Sequence, residues 1–137
     1  MTLRIAAWSF AAATVFGSAI SMRHDVAGEP LGIRPPLSTG SGILLGWGAG
    51  VAAPWPMPVL AVVAASNRRF ARRRGAVCAA LGAACVVGSI VEPVTRRRRR
   101  WTPTIAMAIG LNLATSAAML IAGLRHLAAV RRSTQSA

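Results

Sequence analysis

Residues 101–124 read WTPTIAMAIGLNLATSAAMLIAGL, a stretch without a charge held between Arg100 and Arg125. A helix needs about 20 apolar residues, within a range of about 17 to 25, to cross the hydrocarbon core of a bilayer. This stretch is long enough. Pro103 suits the first turn of such a helix, where its missing N–H removes no bond. Trp101 suits the headgroup interface just outside it.

Upstream, the pattern recurs three times. Uncharged runs cover positions 5–22, 35–67 and 75–91, the last of them only just long enough to cross. A soluble amphipathic helix interleaves its charges at a 3.6-residue period. Here they are confined to the gaps. The sequence therefore predicts an all-α, polytopic membrane protein of one domain. Its four crossings fall at about residues 5–22, 43–65, 75–91 and 102–124. Basic loops lie at 66–74 and 96–100, and a short basic tail at 125–137.

Composition agrees and excludes other classes. The chain is 54% hydrophobic, the reverse of a disordered segment. Charged residues make up 14%, against about 25% in soluble domains. Sixteen are basic, all arginine, and only Asp25, Glu29 and Glu92 are acidic, for a net +13. Two cysteines, Cys78 and Cys85, cannot build a disulfide scaffold. The Arg-only, Ala-rich usage suggests a bacterial source.

The first block also resembles a signal peptide, with Arg4, an apolar run and then Gly17, Ser18 and Ala19. The apolar run continues through Met22 without a polar end, which favours an uncleaved crossing.

The second block contains Pro54, Pro56 and Pro58. Three prolines at alternate positions cannot sit inside one regular helix, since each removes a donor and clashes one turn back. A hairpin of two crossings would leave residues 54–67, roughly 21 Å of helix, to span the core, which is too short. The expectation is one discontinuous helix over 43–65, broken at residues 54–58.

Small residues recur every fourth position in the third block (Ala76, Ala80, Ala84, Gly88) and in the fourth (Ala106, Gly110, Ala114, Ala118, Ala122). Such stripes let helix backbones approach closely in membranes. They predict that the third and fourth helices pack through these ridges.

In a four-crossing topology one side carries nine arginines: Arg4, Arg68, Arg69, Arg72, Arg73, Arg74, Arg125, Arg131 and Arg132. The other carries seven: Arg23, Arg34, Arg96, Arg97, Arg98, Arg99 and Arg100. The positive-inside rule then places both termini in the cytoplasm of a plasma-membrane protein. The near-balance keeps dual topology open. Arg68, Arg69, Arg72, Arg73 and Arg74, with Arg96 to Arg100, directly flank crossings. That favours contacts with anionic lipid headgroups, at about 1 kcal/mol per arginine, over nucleic acid.

Catalysis needs a positioned acid, base, nucleophile or metal. The sequence offers few, and no zinc spacing, phosphate loop or nucleophile elbow occurs. No catalytic residue, metal or cofactor is expected. His24 and His126 fall on opposite sides of the membrane. Cys78 and Cys85, seven positions apart on one helix, lie about 10 Å apart, too far for a disulfide. Three residues form a candidate polar membrane site: Asn112 and Ser116 near the middle of the fourth crossing, and Glu92 at the end of the third. Intramembrane polar groups are helix glue or line a solute path. Glu92 precedes Pro93 and sits four positions before Arg96, so an interfacial pairing with Arg96 is expected.

In size and helix count the chain resembles the small multidrug resistance exporters. That family's membrane-embedded Glu in the first helix is missing from residues 5–22, so no family is assigned. The expected role is a non-enzymatic accessory or interaction protein, partnered by itself or by another membrane protein. A small transporter or channel is the alternative.

Overall fold

A computed structural model describes residues 1–29, 33, 36–45, 51–67, 73–96 and 101–135. Among them the chain forms six helices and no strand: α1 Leu3–Arg23, α2 Thr39–Leu45, α3 Pro56–Ser66, α4 Arg74–Val91, α5 Pro93–Arg96 and α6 Pro103–Gln135. Three of them, α1, α4 and α6, are long and apolar enough to cross a membrane. At 11 residues, α3 is about 16 Å long and cannot cross alone.

Local chemistry sets the ends. Thr2 Oγ1 accepts the Ile5 N–H at 3.3 Å and caps α1. At the other end Asp25 takes a left-handed φ of 47°, which turns the chain out of the helix. The longest helix, α6, runs 33 residues, so most of the basic tail expected over 125–137 is helical to Gln135. Beyond Gly123 that segment contains no glycine or proline, and Ala128, Ala129, Arg131 and Arg132 propagate a helix well.

The second apolar block is discontinuous, as the prolines require, but they act differently than expected. Pro56 occupies the first turn of α3, with Pro58 two positions on. At these positions the missing N–H has no intrahelical partner to lose. The prolines therefore start a helix. The irregular stretch lies before them, where residues 51–55 are non-helical. Its backbone is held from two sides. The Trp55 N–H donates to the Ile43 carbonyl at 3.1 Å. The Val51 carbonyl presses so close to Gly17 of α1 that a side chain there would overlap it.

The main interface joins α4 and α6, but of the expected ridge positions only Ala122 is buried in it. Ala76, Ala80 and Ala84 are exposed, and a Cβ built on Gly88 or Gly110 meets nothing within 4 Å. The buried face of α4 is instead Gly75, Cys78, Ala79, Gly82, Cys85 and Ser89. Helical phase separates the two sets. A strict four-residue repeat drifts about 40° around the helix at each step, whereas alternating steps of three and four hold one face. On this face the backbones nearly touch. A Cβ at Gly82 would lie 2.7 Å from the Ser116 carbonyl oxygen, and one at Gly123 would lie 2.6 Å from the Gly75 carbonyl oxygen.

The bundle is inside-out relative to a water-soluble protein. Fully buried positions include Ala6, Ala7, Thr14, Ser21, Ala61, Ala108 and Ser116, with Phe10 and Met119 the largest buried side chains. Bulky apolar groups face outward: Trp8 is 61% exposed, Val87 60%, Ile90 52% and Leu124 52%. In lipid the outward groups lose nothing, and association rests on close packing and interhelical hydrogen bonds.

Candidate functional site

Polar side chains collect at three levels of the bundle. In the interior, Asn112 is 1% exposed and its Nδ2 donates to Ser89 Oγ at 2.8 Å, tying α6 to α4. Its Oδ1 has no partner among the described residues. Neither does Ser116 Oγ, one turn along α6, nor Ser18 Oγ on α1, both buried. Thr115 instead returns its hydroxyl to its own helix, donating to the Leu111 carbonyl at 2.7 Å. The structure thus assigns Asn112 a helix-linking bond and, among the described residues, leaves four buried oxygen atoms without a partner: these three and Thr95 Oγ1 nearer the acidic end.

At one end lie all three acidic residues. Glu92 caps the C-terminal end of α4 and is buried. Its Oε2 accepts the Glu29 N–H at 3.2 Å. The expected pairing with Arg96 is not what holds it, since Arg96 Nε donates to the Ile90 carbonyl at 3.3 Å. Burial pushes the Glu92 carboxyl above the usual carboxylate range; the Glu29 N–H partly offsets this, and the Glu29 charge adds to it. Asp25 Oδ1 accepts the Thr39 hydroxyl at 2.6 Å, which pins the start of α2 to the end of α1. His24 Nε2 lies 3.4 Å from Thr104 Oγ1, and Trp101 Nε1 donates to the Val94 carbonyl at 2.8 Å.

At the other end is a cavity of about 430 Å³, lined by Arg4 of α1, Arg74 at the start of α4, and Arg125 and His126 of α6. Ala65 and Ala122 also line it. Arg74 Nε donates to His126 Nε2 at 3.0 Å. Of the cavity's charged residues, the loop reading singled out Arg74 alone. Arg4 and Arg125 were legible only as arginines closing different blocks on the same side.

The remaining sequence candidates divide. Arg73, Arg74 and Arg96 are described, whereas Arg68, Arg69, Arg72 and Arg97 to Arg100 lie outside the described residues. Cys78 and Cys85 are free and buried on one face of α4, with Cys85 Sγ 3.2 Å from Met57 Sδ. His24 and His126 lie at opposite ends of the bundle. Among the described residues no three His, Cys, Asp or Glu side chains gather into a metal-sized group. No family model, curated protein or solved structure matches this chain.

Proposed function

We propose that the chain is a four-crossing protein of a bacterial plasma membrane, with both termini cytoplasmic, whose work is assembly with other membrane helices rather than catalysis. The observation that carries this reading is the outward stripe Ala76, Ala80, Ala84 and Gly88. Its small side chains permit close approach by a helix crossing along this inclined ridge, and the fold leaves it uncovered. The gaps between its small side chains fit a helix of a second copy or of another membrane protein. The fourth crossing is the pair α2 and α3. The first starts beside Asp25 at the acidic end, and the second ends by Ala65 at the arginine-lined cavity. The nine-to-seven arginine split supports the orientation. Crosslinking in native membranes tests the assembly. The expected result is a crosslinked species that Ala80→Leu with Ala84→Leu abolishes. A protein that stays strictly monomeric and crosslinks to nothing sinks the reading.

A second reading, a small transporter or channel with no enzymatic step, is favoured by one observation. Ser18 Oγ, Asn112 Oδ1 and Ser116 Oγ are buried without partners, in a bundle whose second segment is broken. Solute flux into liposomes, compared for wild type, Asn112→Ala and Glu92→Gln, decides it.

A further inference from the structure

The arginine-lined cavity has a charge imbalance that no part of the chain's side-chain repertoire can relieve. The sequence contains three carboxylate side chains, Asp25, Glu29 and Glu92, and all three sit at the opposite end of the bundle. Arg4, Arg74 and Arg125 reach the cavity from three different helices. The backbone adds two helix N-termini to this end, set against the C-terminal end of α3, whose Ala65 lines the cavity. Helices α1 and α4 both begin at this end, and neither has an acidic residue in its first turn. At α4 no side chain caps the free N–H groups. A helix N-terminus carries about half a positive charge and favours anions.

The cavity also has shape and orientation. His126 Nε2 accepts from Arg74 Nε, which fixes the Arg74 side chain while leaving its terminal nitrogens as donors for another acceptor. Guanidinium groups bind phosphate through paired, charge-assisted N–H bonds. The wall is apolar on the side toward the bundle, where Ala65, Ala122 and Leu3 line it. A volume of about 430 Å³ exceeds what a bare ion needs.

We propose that this cavity seats the phosphate of an anionic phosphate ester, with Arg4, Arg74 and Arg125 around the phosphate and the ester carbons against Ala65, Ala122 and Leu3. The ester comes from one of two sources: the headgroup of an anionic phospholipid or a soluble compound such as glycerol phosphate. The lipid source rests on the membrane reading above; the soluble source does not.

The test uses the full chain in non-ionic detergent. Its melting is followed with added phosphatidylglycerol, phosphatidylcholine or glycerol phosphate. The expected result is stabilisation by phosphatidylglycerol or by glycerol phosphate, but not by phosphatidylcholine. Phosphatidylglycerol alone identifies a lipid headgroup; glycerol phosphate acting as well identifies the soluble ester. Arg125→Gln, at an exposed position that tolerates change, and Arg74→Gln each weaken the effective ligand by about tenfold. Arg74→Lys, which keeps the charge but loses the fork, falls between Arg74→Gln and wild type. Arg23→Gln, the same charge change at an exposed position of the acidic end, leaves affinity as it was. The proposal is overturned if neither anionic ligand stabilises the wild type, if phosphatidylcholine does so equally, or if Arg23→Gln weakens binding as much as Arg125→Gln. Alkaline extraction of membranes reports separately on the membrane reading. Release of the protein into the soluble fraction defeats that reading, while the glycerol phosphate titration still decides the seat.

Discussion

Asn112 of α6 donates to Ser89 of α4 across 2.8 Å, both side chains buried, and this bond links the two helices that make the main interface. Interhelical hydrogen bonds in membranes contribute about 0.6 kcal/mol on average and about 1.7 at most. A double-mutant cycle of Ser89→Ala and Asn112→Ala, read by unfolding in detergent, is expected to give a coupling within that range. A coupling indistinguishable from zero would show that the bond adds nothing to the interface.

The two glycines Gly82 and Gly88 lie on the same helix and offer a contrast. A Cβ at Gly82 meets α6 backbone atoms at 2.6–2.7 Å, whereas one at Gly88 meets nothing within 4 Å. Backbone cannot yield as a flexible side chain does, so Gly82→Ala is expected to destabilise by about 1–3 kcal/mol, the usual cost of overpacking. Gly88→Ala is expected to leave the fold intact or stabilise it slightly through helix propensity. Equal melting temperatures for the two variants would contradict the observed helix phase.

Glu92 gives stability a pH dependence. Its carboxyl is held above its ordinary value by burial. The folded chain therefore binds that proton more tightly than the unfolded chain does. The contribution is fully present below the ordinary carboxylate value of about 4.3 and is lost as pH rises through the raised value. Glu92→Gln keeps an oxygen for the Glu29 N–H and removes the charge. Its stability is expected to stay flat over the pH window in which the wild type declines. Parallel pH profiles would assign the wild-type slope to other groups.

The second apolar block predicts a specific labelling pattern. In a background with Cys78 and Cys85 replaced by alanine, single cysteines at positions 38 and 95 are expected to react with a membrane-impermeant maleimide from one side. Cysteines at positions 66 and 133 are expected to react from the other. Thr95 and Ser133 labelling from the same face would remove the fourth crossing.

The class of this fold follows from the order of residues alone. Long charge-free runs, punctuated by arginine, fix apolar helices because a bilayer core tolerates neither unpaired backbone nor bare charge. Three of the runs appear as long helices, and the discontinuity of residues 43–65 was legible in Pro54, Pro56 and Pro58. Which face of α4 turns inward was not legible. Small residues occupy both faces, and the choice depends on how a neighbour fits, as the Gly82–Ser116 and Gly123–Gly75 approaches do. The partner of Glu92 was likewise out of reach. Arg96 is four positions away in sequence, but the N–H that reaches the carboxylate belongs to Glu29, 63 residues distant. The arginine-lined cavity required the same step. Arg4, Arg74 and Arg125 stand far apart in the chain, and only the packing of three helices brings their charges to one opening. Local chemistry set the apolar helices, and long-range packing decided which residues meet.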